Sequence, residues 1–250
     1  LAQHHMLPKI IGFNDLKGDL QMHTKWSDGS NTIEEMALAA KKLGHEYICI
    51  TDHTGKLAIA NAMNEKRILQ QRKEIKKINK KLSGIAILHG TEVNINNDGT
   101  LDMGDKVLKQ FDIVLAAVHS GFKNPKEKMT KRIIKAMENE NVDIIAHPTG
   151  RLITKRESYE IDLDSVLDAA KKTNTVLEIN SYPERMDLRD SHVRAAVKAG
   201  VKLSIGTDAH NTDHLHFIIL GVGTARRGWA TKNDIINTRS LKDMLGMLKK

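Results

Sequence analysis

Six short apolar runs in this 250-residue chain end in an imidazole or a carboxylate. They read Asp19-Leu20-Gln21-Met22-His23, Thr51-Asp52-His53, Gly90-Thr91-Glu92, Val118-His119-Ser120, Ala146-His147-Pro148 and Gly206-Thr207-Asp208-Ala209-His210. A single residue of this kind after a strand is more often a cap or a hydrogen-bonded surface group; the joint pattern points to metal ligation. Asp208 and His210 stand two residues apart, as do Gln21 and His23, so in extended backbone each pair shares one side of the chain. Asp52 and Thr207 lie beside the ligands, where a hydrogen bond could fix an imidazole tautomer. The 12 histidines outnumber all Phe, Trp and Tyr residues together. His4, His5, His45, His89, His192, His214 and His216 lie away from strand ends and read as surface or ordinary packing.

With Asp28, the candidate ligands are His23, Asp28, His53, Glu92, His119, His147, Asp208 and His210. The lone cysteine, Cys49, excludes an internal disulfide and a thiolate zinc site, so nitrogen and oxygen must hold any ion. Such donors suit Zn, Mn or Fe. Eight ligands are too many for one ion. With a bridging carboxylate they suit two or three, an arrangement that activates water at neutral pH and clamps the oxygens of a phosphoester. Hydrolysis is the chemistry this predicts, with His53, Glu92, Asp208 and His210 as catalytic candidates. Arg151 and Arg156 follow His147-Pro148, and Arg185 and Arg189 follow Asn180. Guanidinium groups there could grip a phosphate, Arg151 and Arg185 being the candidates, or could be surface charge.

These side chains must be brought together by the elements between them. Ile- and Val-rich runs predict strands over 15–22, 47–51, 86–94, 113–118, 144–147, 176–180 and 203–207, and helical periodicity predicts helices over 32–42, 58–82, 126–139, 163–172, 191–199 and 240–249. Segment 96–109 reads as a turn and an irregular excursion. The alternation implies an α/β fold with a parallel sheet, and the number of strands suits a closed or nearly closed barrel whose C-terminal strand ends converge on one face. Residues 1–6 read as an appended or linker remnant, leaving a single domain over 7–250. No run approaches the roughly 18 apolar residues of a membrane helix, and no signal peptide opens the chain, which predicts a soluble, cytoplasmic protein. The formal net charge of +8 favours an anionic partner, nucleic acid or a phosphorylated metabolite. Much of the excess lies over 66–81, read as a solvated helix face above an apolar stripe.

The motifs Gly18-Asp19-Leu20-Gln21-Met22-His23-Thr24, Trp26-Ser27-Asp28-Gly29, Ile50-Thr51-Asp52-His53, His147-Pro148 and Gly206-Thr207-Asp208-Ala209-His210 resemble the PHP superfamily, the polymerase and histidinol phosphatase domains. Within it the chain is similar to the C-terminal PHP domain of bacterial and archaeal family X DNA polymerases, through His147-Pro148-Thr149-Gly150-Arg151, Leu188-Arg189-Asp190-Ser191-His192 and Leu220-Gly221-Val222-Gly223-Thr224-Ala225-Arg226-Arg227-Gly228-Trp229. The resemblance implies a distorted (β/α)7 barrel with a trinuclear centre. His23, Glu92 and Asp208 would hold one ion, Glu92 would bridge to a second held by His119 and His147, and Asp28, His53 and His210 would hold the third. Where many members carry His-x-His, this chain has Gln21-Met22-His23, making Gln21 a weak ligand at most. The resemblance further implies manganese-dependent 3′ to 5′ exonuclease and 3′-end processing of DNA, with an N-terminal polymerase region of the same parent chain as partner. The alternatives are a small-molecule phosphatase of the histidinol-phosphate type acting on a small phosphate ester, and a catalytically silent module of a polymerase.

Overall fold

The computed structural model describes residues 3, 6–57 and 60–249. Its strand segments are β1 (Gly18–Asp19), β2 (Tyr47–Ile50), β3 (His53–Thr54), β4 (Ala86–Asn94), β5 (Ile113–Ala117), β6 (Ile144–Ile145), β7 (Val176–Asn180) and β8 (Leu203–Gly206). All pair in parallel, in the order β1-β2-β4-β5-β6-β7-β8, with β3 also on β4. Since β2 and β3 share one partner, they form a single strand position interrupted at Thr51-Asp52, and the sheet has seven positions. The helices are α1 (Ile33–Lys42), α2 (Glu65–Lys81), α3 (Asp105–Leu108), α4 (Lys126–Met137), α5 (Leu163–Thr173), α6 (Asp190–Ala199), α7 (Ile218–Arg227) and α8 (Leu241–Leu245).

The sheet closes on itself in two different ways. At the C-terminal strand ends β1 and β8 meet directly: the His23 amide donates to Ala209 O at 2.7 Å and the Asp208 amide to Gln21 O at 3.0 Å. Lower down the strands part, and the buried Asn237 side chain fills the gap. Its amide nitrogen donates to Gly18 O at 2.7 Å and Ile205 O at 2.8 Å, while its oxygen accepts from Ile205 N at 3.0 Å. One side chain thus stands in for a missing length of ladder, which is the distortion of this (β/α)7 barrel.

Alternation along the strands sorts the side chains into two layers. On β5, Ile113, Leu115 and Ala117 join Tyr47, Cys49, Leu88 and Val176 in the barrel interior, which Met244 and Leu248 cover from below. Val114 and Ala116 face outward onto Met129 and Ile133 of α4. The inward register continues upward from Cys49 to His53, from Leu88 to Glu92, from Ala117 to His119 and from Val176 through Glu178 to Asn180. Apolar residues therefore plug the lower barrel and polar ones crown it, the usual division in this architecture.

Several predicted spans contract. The helix over 58–82 starts at Glu65, because Asn64 caps it by accepting from Arg67 N, and residues 58 and 59 lie outside the described residues. The basic stretch does form a solvated face, with Ile68, Ile75 and Ile78 buried beneath it. The helix over 240–249 stops at Leu245, with Gly246 as its cap. The strand over 144–147 ends at Ile145, since His147 turns the chain at a φ of +31° ahead of Pro148. The strand over 15–22 keeps only Gly18–Asp19 and a bridge at Met22, its edge below being taken by Asn237. The excursion over 96–109 contains the single turn α3. Residues 212–227, unassigned by periodicity, form a 3-10 turn and α7. Gly221 and Gly223 weaken the helical signal there. Of residues 1–6, placed outside the domain by the sequence, 1, 2, 4 and 5 lie outside the described residues. No helix among the described residues is long and apolar enough to cross a membrane.

His45 is packing rather than site: it is buried, with both ring nitrogens lacking a hydrogen-bond partner among the described residues. Burial lowers its pKa to about 4 from 6.5. The unfolded chain therefore takes up this proton first as pH falls, and stability that is complete above about pH 6.5 is lost toward pH 4, by up to about 3 kcal/mol. The urea midpoint of His45→Phe should fall less between about pH 7 and about pH 5 than that of the wild type. Parallel losses would show that the imidazole is solvated in the folded state.

Candidate metal centre

All eight predicted ligands meet at the C-terminal mouth of the barrel. Glu92, from β4, lies at the middle. Its Oε1 is 2.9 Å from His147 Nε2 and 3.0 Å from His119 Nε2, while Oε2 is 3.3 Å from His23 Nε2 and 3.9 Å from His53 Nε2. Asp208 Oδ1 approaches His23 Nε2 at 3.1 Å. On the outer side Asp28 collects the other edge, with His23 Nδ1 and His53 Nε2 each at 3.7 Å and His210 Nε2 at 3.5 Å. The rings of His53 and His210 stack on opposite sides of His23, at centroid distances of 4.6 and 4.5 Å.

These spacings fit shared cations. Donors bonded to one tetrahedral ion at about 2.0–2.2 Å lie about 3.3 Å from each other. Among the described residues three groups have donor atoms within 4.8 Å of one another: His23, Asp28, His53 and His210; His53, Glu92 and His119; and His23, Glu92 and Asp208. Among the described residues both ring nitrogens of the fully buried His23 lack a partner of hydrogen-bond geometry, although carboxylate oxygens stand close by. A buried imidazole facing carboxylates on both edges, without hydrogen bonds to either, is the donor set a divalent ion would satisfy. The first and third groups agree with the assignments the resemblance implies, with His23 added to the outer one. The second has His53 where His147 was expected, and His147 reaches the same Glu92 oxygen as His119.

Electrostatics follow from burial and charge. Burial works to raise Glu92, but the surrounding imidazoles of His53, His119, His147 and His23 hold it well below the ordinary carboxylate range. Asp208 is lowered against its burial by His23 and Arg185, and Asp28, likewise against burial, is lowered to about 2 by His210, His23 and His53. The imidazoles divide. Burial lowers His53 to about 4, helped by His23 and His119, whereas Asp208 and Glu92 raise His23 well above 6.5 despite its burial.

The supports of the ligands were less visible in the sequence. Glu178 Oε2 accepts from His147 N at 2.8 Å, and burial together with the Asp208 charge raises this carboxyl well above its ordinary value. Asn180 Nδ2 reaches Gln21 Oε1, Glu178 Oε2 and Asp208 Oδ2 at 3.2, 3.3 and 3.1 Å. The signal for both was polar residues at alternate positions of the apolar run Val176-Leu177-Glu178-Ile179-Asn180. Asp52 fixes no tautomer. It clamps the loop leading to Asp28, accepting from Thr24 N, Thr24 Oγ1, Ser27 Oγ and Gln71 Nε2 at 2.6–2.7 Å. Thr207 likewise turns from the imidazoles to the buried Asp19. One tautomer is set by backbone: His210 Nδ1 lies 2.7 Å from Asp208 O, leaving Nε2 toward Asp28. Two of the candidate ligands, His147 and Asp208, have left-handed φ values of +31° and +55°, strain that the surrounding contacts must sustain.

Gln21 reaches the centre, yet its amide nitrogen donates to Glu92 Oε2 at 3.0 Å and its oxygen is turned to Asn180. Arg185 lies at the mouth, its Nε 3.2 Å from Asp208 Oδ2. Arg151 is turned away: Nε donates to Arg185 O at 2.7 Å and Nη2 to Met186 O. Arg156 bonds Gly150 O and lies 3.7 Å over the Phe122 ring, and Arg189 bonds His192.

Comparison with known proteins places this geometry among relatives. The PHP domain family profile matches residues 19–182. The chain is 48% identical over 242 residues to the DNA polymerase/3′-5′ exonuclease PolX of Bacillus subtilis (strain 168), a match covering 97% of this chain and 42% of that protein. The chain therefore spans less than half the length of that relative. It is 36% identical over 203 residues to a "probable phosphatase" of Thermoanaerobacter sp. (strain X514), covering 77% and 78% of the two chains. In fold it is similar to the histidinol phosphate phosphatase of Lactococcus lactis solved with zinc, L-histidinol and phosphate, with a TM-score of 0.62, 19% identity, and 84% and 93% of the chains covered.

In the metal-free protein the split between the imidazoles is directly observable. Imidazole NMR signals should show His53 titrating near 4 and His23 still protonated above pH 6.5. Because ligands must shed protons to bind an ion, affinity for a divalent cation should rise with pH across the range where His23 deprotonates. A pH-independent affinity together with a common His titration near 6.5 would contradict this electrostatic picture.

Proposed function

The chain belongs to the PHP domain family and is a metal-dependent phosphoesterase, and from that premise we propose that it hydrolyses the 3′-terminal phosphodiester of DNA or a 3′ blocking group. The observation that carries this reading is 48% identity across 97% of the chain to a DNA polymerase/3′-5′ exonuclease. The proposed ligands are His23, Asp28, His53, Glu92, His119, His147, Asp208 and His210, holding two or three ions of Mn, Zn or Fe. Gln21 is a supporting residue in this scheme rather than a ligand, since its oxygen is turned to Asn180. Such ions, when bound, supply a water acidic enough to ionise near neutral pH and positive charge for the attacking and leaving oxygens.

The remaining work belongs to the chain. Glu92 and Asp208, kept ionised by their cationic neighbours, set the charge of the site. His210, the most exposed imidazole of the cluster, stands at the rim, its Nδ1 held by Asp208 O so that Nε2 is aimed at the outer ion's position. Arg185, with Nε on Asp208, has further N–H groups to offer a non-bridging phosphate oxygen. Binding through phosphates rather than bases would leave sequence unread. The proposed partners are DNA 3′ ends and an N-terminal polymerase region of the parent chain, and the proposed location is the cytoplasm.

The second reading, hydrolysis of a small phosphate ester, has its own support in the 36% identity to a "probable phosphatase" covered over 78% of its length. One preparation assayed on both substrates separates the two. With manganese, 5′-labelled DNA should be shortened far faster than a monophosphate ester is hydrolysed; the reverse ranking would transfer the assignment to the small ester. Asp208→Asn and His53→Ala should each lower hydrolysis by at least about 100-fold with the circular dichroism unchanged. Full activity in both would remove the site assignment. Arg185→Ala should raise KM about tenfold with a smaller effect on kcat. Equal losses in kcat and kcat/KM would mean contact made only in the transition state.

A further inference from the structure

A second feature lies behind the wall of the metal centre. The segment 182–189 presents Arg185 to Asp208 on one side, and on the other Met186 and Arg189 line an open groove of about 630 Å³. Arg151, which braces that segment through the carbonyls of Arg185 and Met186, also reaches the groove. The opposite wall is α7, carrying Ile219, Arg226 and Arg227.

The lining is unbalanced in charge. Arg151, Arg189, Arg226 and Arg227 face a single carboxylate, Asp190, which Arg227 engages at 2.7 Å. Beside the arginines lie exposed apolar surfaces: Phe13 and Ile219 are 56% and 57% accessible, with the Arg226 guanidinium 5.2 Å from the Phe13 ring centroid. Cationic groups alternating with an aromatic and an aliphatic surface suit a ligand that repeats phosphate and base. The floor adds an independent sign. At Gly221 a Cβ would collide with Ser181 Oγ, so close packing explains that glycine. At Gly223 a Cβ would meet nothing within 4 Å. Glycine inside a helix is unfavourable, and no contact among the described residues calls for it here. What it does is keep the groove floor low.

We propose that this groove is a track for single-stranded nucleic acid, holding the strand whose 3′ end lies at the metal centre. The inference rests on the DNA reading above and extends it: a small ester would need no second cationic groove, and four guanidiniums against one acid are complementary to the repeated phosphates of a strand. Arginines hold successive phosphates, while Phe13 and Ile219 receive bases.

The test uses the intact chain and a labelled single-stranded oligonucleotide of about 12 nucleotides with a cleavage-resistant 3′ linkage, followed by anisotropy over a salt series. The double variant Arg189→Ala/Arg227→Ala should weaken binding at least about tenfold and make the slope of log affinity against log salt shallower by about 1.4, two phosphate contacts at about 0.7 each. Gly223→Leu should raise Tm while weakening the strand by a similar factor, a combination that mere structural damage does not produce. If the wild type shortens DNA and both variants bind the strand with unchanged affinity and salt slope, the groove proposal is overturned and the hydrolase reading stands. If the wild type neither binds the strand nor shortens DNA, the DNA reading itself has failed. Self-association abolished by these variants, with strand binding intact, overturns the track in favour of a contact between copies.

Discussion

Glu92 is the constraint on which the rest of the structure depends. Its carboxylate is buried at the top of the barrel, with imidazole nitrogens of His147, His119, His23 and His53 at 2.9–3.9 Å. A carboxylate in that position without nitrogen partners, or the ions they would share with it, would be strongly unfavourable. Its neighbours come from separate strand ends, so the charge can be compensated only if the sheet closes and brings them to one point. Closure in turn relies on the Asn237 side chain completing the ladder between Gly18 and Ile205. Fold and site are thus one electrostatic problem, solved by polar residues that sit above an apolar plug.

Much of this was legible in the residues. Strand ends terminating in His, Asp and Glu were visible as short motifs, and the convergence of parallel strand ends on one barrel face sufficed to gather Glu92, His119 and His53. The barrel followed from the number of Ile- and Val-rich runs. Less legible was everything that acts through tertiary contact. Asn237 lies in an undistinguished tail, and its role exists only because β1 and β8 diverge. Helix α7 was hidden by Gly221 and Gly223, one needed for packing against Ser181 and the other facing open space. Arg151 and Arg185 looked equivalent beside the mouth, yet one carboxylate, Asp208, draws Arg185 to the centre and two backbone carbonyls turn Arg151 away.

The ligand supports show how precision is obtained from ordinary groups. Asp52 gathers four donors to fix the loop before Asp28, Glu178 anchors the backbone at His147, and Asn180 ties Gln21 to Asp208. Asn180 ends β7 and Asp52 stands beside His53, yet each of the three acts through hydrogen bonds that hold a candidate ligand in place. Each restrains a ligand by a hydrogen bond to its neighbour or its backbone, as expected where metal ligands must be held within a fraction of an ångström. Gln21 fits the same logic, because its amide bridges Glu92 and Asn180.

The most direct test of this account is the number of divalent ions bound per chain, measured by elemental analysis after equilibration and gel filtration, in the wild type and in Glu92→Gln, which keeps the shape and removes the charge. A carboxylate shared between imidazole pairs predicts more than one ion in the wild type and loss of at least one in the variant, with the fold intact by circular dichroism. Identical ion content in the two proteins would contradict the claim that Glu92 organises the centre.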